Sequence, residues 1–319
     1  MSYQPPFVIT AQILLLVEDI TRLVTQLTFH NPQPISPLLR KENQIKTLAG
    51  TLAIEGNMLG EEKITAVLDG KRVLATTLEL AEVKGALNAY QNLENFRFDS
   101  LTDCLTAHEM LMRDVLKKAG QLRGSDVGVG QHVAPPYSRV PQLMDDLFDW
   151  LKHSDDSLLI KSCVFHYEFE FIHPFVDGNG RMGRLWQSVI LNQWDGLFAY
   201  LPTESIIREH QQAYYDALEQ ANEAGESTPF IAFILGVILE ALNNVPKDDP
   251  DNVPKATATQ RQLALLERLK KDNTITINAL AKILNCNEKT IKRDLDNLKK
   301  NHQIKRIGSA RAGHWELLG

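Results

Sequence analysis

Apolar residues recur at intervals of three or four positions over most of the first 245 residues, which is the spacing of one face of an α-helix. This pattern predicts a mainly α fold for that part of the chain. Ser36 followed by Pro37 is a typical helix start, and Gly56 suits a left-handed helix end. The predicted helices cover residues 9–27, 36–56, 61–68, 78–93, 101–119, 140–152, 157–172, 203–224 and 230–242, with a further helix from Met182.

The helical pattern breaks at two places. Between residues 120 and 139, glycines surround short stretches of alternating apolar residues, which predicts a small β-hairpin. Residues 243–259 contain three prolines and a charged stretch, a composition typical of a linker. The chain is therefore expected to have a helical body and a separate carboxyl-terminal domain.

Beyond the linker, residues 260–319 show three helical patterns followed by two short strand patterns. This order predicts a winged helix-turn-helix domain, with residues 288–300 in the position of the recognition helix. The expected organisation is a helical region over 1–100, a core over 101–242, the linker and the winged domain.

Composition adds limits to this picture. The chain has 319 residues, 44% of them hydrophobic and 23% charged, as in an ordinary soluble protein. No run approaches about 18 apolar residues and the amino terminus lacks a signal-peptide pattern, so no membrane span or export is expected. Cys104, Cys163 and Cys286 are too few and too scattered for a disulfide framework or a zinc site. We expect a cytoplasmic protein.

The net charge of −6 is unevenly distributed. From Thr257 to the end, 13 Lys and Arg stand against 6 Asp and Glu, a net of +7, so the remainder carries −13. The winged domain could therefore approach a polyanion, whereas the body would be repelled by one.

The strongest candidate for chemistry is the segment His173 to Arg184, which reads His-Pro-Phe-Val-Asp-Gly-Asn-Gly-Arg-Met-Gly-Arg. Pro174 disfavours the α region for the residue before it, so the preceding helix is expected to end there. The glycines and the asparagine between them allow positive φ, so that backbone N–H groups can converge on an anion at the start of the next helix. Two arginines three positions apart lie on one face of that helix, which predicts an anion-binding site.

This segment is similar to the signature of the Fic (Fic/Doc) family, His-Pro-Phe-x-Asp/Glu-Gly-Asn-Gly-Arg-x-x-Arg, and every fixed position is present. The resemblance implies a Fic-type helical bundle with a β-hairpin flap. It further implies a Mg²⁺-dependent protein adenylyltransferase, which transfers AMP from ATP to a serine, threonine or tyrosine hydroxyl of a protein and releases pyrophosphate.

Carried over position by position, the resemblance gives roles to individual residues. His173 becomes the base that takes the proton of the attacking hydroxyl, and Asp177 becomes the Mg²⁺ ligand. The residues assigned to the ATP phosphates are Gly178, Asn179 and Gly180 for the α-phosphate, Arg181 for the β-phosphate and Arg184 for the γ-phosphate. Tyr215 or its neighbour is implied to line the nucleotide pocket, although the apolar pattern alone favours a core position for either.

A second resemblance concerns the end of the predicted helix 36–56. Thr51-Leu-Ala-Ile-Glu55-Gly56 is similar to the inhibitory motif Ser/Thr-x-x-x-Glu-Gly/Asn that accompanies many Fic domains. A carboxylate in the last turn of a helix is disfavoured by the helix dipole, so Glu55 is expected to have a cationic partner. In the family that partner is the second arginine of the signature, here Arg184, and the glutamate takes the place of the γ-phosphate.

The family resemblance and the sequence patterns also predict binding partners. The flap, about residues 123–139, is expected to bind an extended segment of a target protein by strand addition. Residues 260–319 fit contact with DNA or with another protein, and the apolar helices fit either a homodimer interface or a monomer core. Two alternatives stay open, namely removal of AMP by the same site and a DNA-binding transcription regulator that senses nucleotides.

Overall fold

The structure is a computed structural model that describes residues 3–29, 35–129, 132–245, 258–284, 286–301, 303–308 and 313–318. The chain divides into two compact units, Met1–Val245 and Pro246–Gly319, each with its own hydrophobic core. Residues 246–257 of the predicted linker lie outside the described residues.

The first unit is helical apart from one small hairpin, so the prediction of a mainly α fold is confirmed. Its helices are α1 Ala11–Phe29, α2 Pro37–Ile54, α3 Glu61–Leu68, α4 Thr77–Gln91, α5 Leu101–Met112, α6 Val140–His153, α7 Leu158–Ile172, α8 Asn179–Trp194, α9 Thr203–Glu209, α10 Gln211–Ala224 and α11 Thr228–Asn243. The hairpin consists of β1 Gly128–Val129 and β2 His132–Val133, which pair antiparallel with Gly128 opposite Val133.

Helices α7 and α8 form the centre of this unit. Helix α7 is buried without interruption from Leu159 to Phe169, so over this stretch it has no solvent-exposed face. It packs mainly against α8, and α6 and α11 also cover it. The predicted anion-binding segment, His173 to Arg184, consists of the loop between α7 and α8 and the first residues of α8, so it is held by these two central helices.

Helix α2 begins and ends as its sequence predicts. Ser36 accepts a hydrogen bond from the Leu39 backbone at its N-terminus, and Gly56 has φ 90° just beyond its C-terminus. Helix α2 packs closely against α9. At Gly50 the two backbones approach so closely that a Cβ atom would lie 2.6 Å from the Glu204 carbonyl carbon.

Two predicted helices are shorter than the apolar pattern indicates. The helix predicted over 101–119 ends at Met112, because the chain turns back and the Gly120 N–H donates to Nδ1 of His108 at 2.8 Å. The helix predicted over 203–224 is interrupted at His210 and forms α9 and α10. In the second case the apolar period continues across the break, so spacing alone could not reveal it.

The second unit contains three helices and one antiparallel strand pair among its described residues, in the order of a winged helix-turn-helix. They are α12 Ala258–Lys271, α13 Ile277–Ile283, α14 Glu288–Lys300, β3 Ile304–Ile307 and β4 His314–Leu317. Leu265, Leu280, Leu295 and Trp315 lie in its core. In neither unit is any helix of the described residues both long and apolar enough to cross a membrane.

Candidate functional site

His173 lies at the C-terminal end of α7 in the left-handed conformation, with φ 51° and ψ 61°. The helix ends there as predicted, and His173 lies outside the right-handed α region that the following proline disfavours. Among the described residues it is the one non-glycine residue with positive φ. Such a conformation costs about 1–3 kcal/mol and persists only where the surroundings enforce it. The His173 N–H donates to the Phe169 carbonyl at 2.9 Å, and its own carbonyl accepts from Nε of Arg123 at 2.8 Å.

Asn179 closes the loop that follows. Its side chain accepts a hydrogen bond from the Phe175 N–H at 2.8 Å and donates to the Phe175 carbonyl at 3.0 Å. Phe175 is fully buried and stacks on His108 with ring centres 3.6 Å apart. Asn179 does not adopt the left-handed conformation that its residue type allows. Asn179 is the first residue of α8, so what it offers an anion is its backbone N–H.

The N-terminus of α8 has no side-chain cap, because Gly178 precedes the helix with φ 85°. Such an end presents free N–H groups and the positive end of the helix dipole. Gly180 is helical and does not use the positive φ that a glycine allows. The glycine is required for space instead, since a Cβ atom on Gly180 would collide with Oε1 of Glu55.

Glu55 brings a carboxylate from α2 to this helix end. It is the C-cap of α2, and its Oε1 accepts a hydrogen bond from Nη2 of Arg184 at 2.7 Å. Arg184 is buried and also donates to Thr51, from Nε to the hydroxyl at 3.1 Å and from Nη2 to the carbonyl at 3.2 Å. The contact that the resemblance implied between Glu55 and Arg184 is therefore present in the structure.

The electrostatic environment makes Glu55 the ionised carboxylate of this cluster. Burial opposes its ionisation, but the neighbouring guanidinium of Arg184, with that of Arg181, holds the pKa of Glu55 below its ordinary value. Burial raises the pKa of Glu170, another carboxyl group near Arg184, to about 8, and it also raises the pKa of Glu204. Near neutral pH the buried Arg184 is therefore balanced chiefly by Glu55.

The other signature arginine is also held by carboxylates. Nη1 of Arg181 donates to Oε1 of Glu82 on α4 at 3.0 Å, and Nη2 lies 3.4 Å from Oδ1 of Asp177. Oε2 of Glu82 accepts from the side chain of Asn57, directly after the segment Thr51–Gly56, at 2.8 Å. Nε of Arg181 is buried and has no hydrogen-bond partner. A buried unpaired donor beside a helix N-terminus is what an anionic ligand would satisfy.

Asp177 and Tyr215 lie at the edges of the cluster. The Asp177 side chain is about half-exposed, and its Oδ1 accepts from the Gly178 N–H at 2.6 Å. The side chain of Tyr215 is partly exposed, and its hydroxyl lies 3.5 Å from the Ile54 carbonyl. The hydroxyl of its neighbour Tyr214 is turned inward instead, 3.2 Å from Nε2 of the buried His166. Of the two tyrosines, Tyr214 is therefore the one that interacts with the Arg184–Glu55 pair, and Tyr215 lies beside the end of α2 at Ile54.

Sequence reasoning missed Glu82 and Arg123. Glu82 lies on a helix with an ordinary amphipathic pattern, where a glutamate predicts only a solvated position. Arg123 lies in the irregular stretch before the hairpin, although its side chain is fully buried. Neither residue belongs to a motif, and their contacts span 99 and 50 residues of sequence. No local signal could have identified them.

Comparison with known proteins identifies the family. Residues 98–191 match the Fic/DOC family, and residues 261–310 match a helix-turn-helix (HTH) domain. A crystal structure of a Fic family protein from Desulfovibrio desulfuricans is 39% identical in sequence over 99% of both chains, with a TM-score of 0.75. The chain belongs to the Fic/DOC family. Fic-1 from C. elegans, at 24% identity over 73% of this chain and a TM-score of 0.61, shares the fold.

Curated relatives of this Fic protein carry the name protein adenylyltransferase Fic. The relative from Aedes aegypti is 32% identical over 206 residues, which cover 61% of this chain and 40% of the relative. The relative from Drosophila willistoni is 29% identical over 251 residues, which cover 72% of this chain and 48% of the relative. The Fic protein thus spans half or less of the length of these relatives.

Proposed function

We propose that this Fic protein transfers AMP from ATP to a hydroxyl side chain of a protein and that Glu55 inhibits the transfer. The observation that carries the proposal is the contact between Glu55 and Arg184 at the N-terminus of α8, beside His173. A carboxylate there takes a position suited to a phosphate group. The name of the curated relatives supports adenylyl transfer as the reaction.

In this mechanism the first N–H groups of α8 and the side chain of Arg181 bind the phosphates of ATP. The fit is supported by the uncapped helix end and by the unpaired Nε of Arg181. The imidazole of His173 takes the proton from the attacking hydroxyl, which then bonds to the α-phosphorus while pyrophosphate leaves. Most of the acceleration comes from fixed positive groups around the phosphates.

Asp177 would hold Mg²⁺. The described residues contain no cluster of three or more acidic, histidine or cysteine side chains suited to a metal, but Mg²⁺ is commonly bound through one or two carboxylates together with phosphate oxygens. The half-exposed carboxylate of Asp177, beside the helix end, meets that requirement. When bound with ATP, the ion would neutralise part of the phosphate charge.

Inhibition follows from competition for Arg184. While Glu55 holds this guanidinium, the γ-phosphate lacks its partner and ATP binds with the α-phosphate displaced from the line of attack. A displacement of about 1 Å can slow a reaction by about 100-fold. The target would bind at the hairpin by adding a strand, which orients a hydroxyl side chain towards His173.

The test is an auto-transfer assay with ATP labelled at the α-phosphate and Mg²⁺ present. Glu55→Gly is expected to raise incorporation of label well above that of the native chain, and His173→Ala added to Glu55→Gly is expected to abolish it. Equal incorporation by the native chain and Glu55→Gly would contradict inhibition by Glu55. Undiminished incorporation after His173→Ala would contradict the role of the base.

We also propose that the winged unit binds DNA. Asp294, which would repel phosphates from an exposed position, is fully buried and accepts from Nε of Arg261 at 2.6 Å. The exposed residues of α14 include Lys289, Lys292 and Arg293. Two exposed carboxylates remain on the helix, with Glu288 3.9 Å from Lys292 and Asp296 3.0 Å from Lys299. Gel-shift titrations should show binding that weakens steeply with salt and is lost when the two lysines are replaced by glutamate. Salt-independent binding, or none, would refute this proposal.

A further inference from the structure

Arg123 lies where the flap hairpin leaves the body, and its side chain is fully buried. Its backbone N–H donates to the Pro174 carbonyl at 2.9 Å, and its Nε donates to the His173 carbonyl at 2.8 Å. The guanidinium also donates to three further carbonyls, those of Ile172 at 3.4 Å, Ser125 at 3.1 Å and Pro135.

These acceptors belong to two parts of the site. Ile172 and His173 form the C-terminal end of α7, where unpaired carbonyls and the helix dipole favour a cation. Ser125 and Pro135 lie on opposite limbs of the flap, one before β1 and the other after β2. One buried side chain therefore joins both limbs of the flap to the backbone of His173.

We propose that Arg123 is a positioning residue for AMP transfer, which holds the flap and the left-handed His173 in one fixed arrangement. This inference rests on the proposed function, since it concerns how the target hydroxyl meets the imidazole. A hydroxyl delivered by the flap must come within hydrogen-bond reach of His173, and the two are aligned only if flap and loop share a common anchor.

The chemistry of the guanidinium explains why arginine is needed for this role. Arginine has five donors in a planar fork and can reach carbonyls that lie in different directions, whereas the ammonium of lysine is a single point. Arg123→Lys therefore keeps the charge while losing the simultaneous contacts with the flap and with α7. It separates the geometric role from a general need for positive charge.

The experiment compares Arg123→Lys and Arg123→Ala with their parent, all carrying Glu55→Gly. Auto-transfer is measured against ATP concentration, with melting temperature as a check on folding. We expect the maximal rate to fall by about 100-fold, because a misplacement of about 1 Å has that effect. The half-saturating ATP concentration should stay within about twofold, since Arg123 contacts none of the residues assigned to the phosphates.

Two controls make the result specific to the guanidinium. Guanidinium ion at non-denaturing concentration should restore part of the rate of Arg123→Ala and none of the rate of Arg123→Lys. Arg113→Lys, which changes an exposed arginine paired with Glu109, should leave the maximal rate unchanged. A purely structural role for Arg123 would instead lower the melting temperature, the rate and the affinity for ATP together, and that result would overturn the proposal.

Amide hydrogen exchange provides a readout that does not depend on activity. With the native Glu55 in place, Arg123→Lys should speed exchange in peptides covering 124–129, 132–136 and 172–174, and leave α11 unchanged. If Glu55→Gly itself transfers no AMP, the proposed function fails while this measurement still tests Arg123. Unchanged exchange in both the flap and the loop would refute the positioning role.

Discussion

The contact between Glu55 and Arg184 gives a prediction whose size can be worked out. Glu55→Gln keeps the shape of the side chain and removes its charge, so the amide oxygen can still accept from Arg184, but weakly. A hydrogen bond to a charged group contributes about 1.5–3 kcal/mol. The 31% exposure of the Glu55 side chain places the loss near the lower end, at about 1.5–2 kcal/mol.

A difference of about 1.4 kcal/mol changes an equilibrium tenfold, so Glu55→Gln should raise productive ATP binding by roughly 10- to 30-fold. The assay is single-turnover auto-transfer with limiting labelled ATP, in which the rate follows the fraction bound productively. Glu55→Gly should exceed Glu55→Gln because it removes the side chain altogether. Glu61→Gln, which changes an exposed glutamate at the start of α3, is the matched control and should match the native rate.

The ratio of the Glu55→Gln rate to the native rate has a pH dependence that follows from the lowered pKa of Glu55. A carboxyl whose pKa is depressed by folding contributes its contact above its ordinary pKa of about 4.3 and loses it only as the pH falls through the lower folded value. The ratio of the two auto-transfer rates should therefore be constant from pH 5 to pH 7. The upper limit is chosen because Glu170, whose pKa is about 8, stays protonated over this range. A ratio of one, or a ratio that collapses towards pH 5, would refute the reasoning.

Three further substitutions test the packing of the site. Gly178→Ala places a Cβ atom 2.9 Å from Sδ of Met112 in a left-handed residue, so with Glu55 removed it should reduce AMP transfer and lower stability by about 1–3 kcal/mol, checked by rate and melting temperature. Glu82→Ala removes the carboxylate that accepts from Arg181 and should lower the free energy of unfolding in urea by about 1.5–3 kcal/mol. The same substitution at an exposed glutamate should leave the free energy of unfolding unchanged. Phe175→Ala should lower the same quantity by about 3–5 kcal/mol, and a loss below about 1 kcal/mol would contradict its core position.

Much of the fold was predictable because local chemistry determines it. The start of α2 follows from Ser36 and Pro37, and its end follows from Gly56, whose positive φ the structure confirms. The helix break at His210 was not predictable, because the apolar period runs through it and periodicity reports only which face is buried. The order of helices and strands in the second unit could also be predicted from short-range patterns.

The candidate site was predictable only in part. The signature segment could be located from residue types alone, but the pairing of Glu55 with Arg184 came from the family resemblance, because nothing local selects a partner 129 residues away. The left-handed conformation of His173 could not be predicted for a related reason. The following proline disfavours only the right-handed α region, and contacts with Arg123 and the end of α7 accompany the left-handed one.

The close approach of α2 and α9 at Gly50 has a mechanical consequence. At 1.5 Å per residue, the helix extends about 20 Å from this contact towards Pro37 and about 7.5 Å towards Glu55. If α2 tilts as a rigid body about Gly50, this contact is the pivot, and the two lengths of helix on either side of it are unequal lever arms. Withdrawing Glu55 by about 1 Å then requires a movement of about 2.5 Å at the Pro37 end, driven by less than half the force needed at Glu55 itself. Under the proposed inhibition, a partner that releases Glu55 would therefore act with least force at the far end of α2.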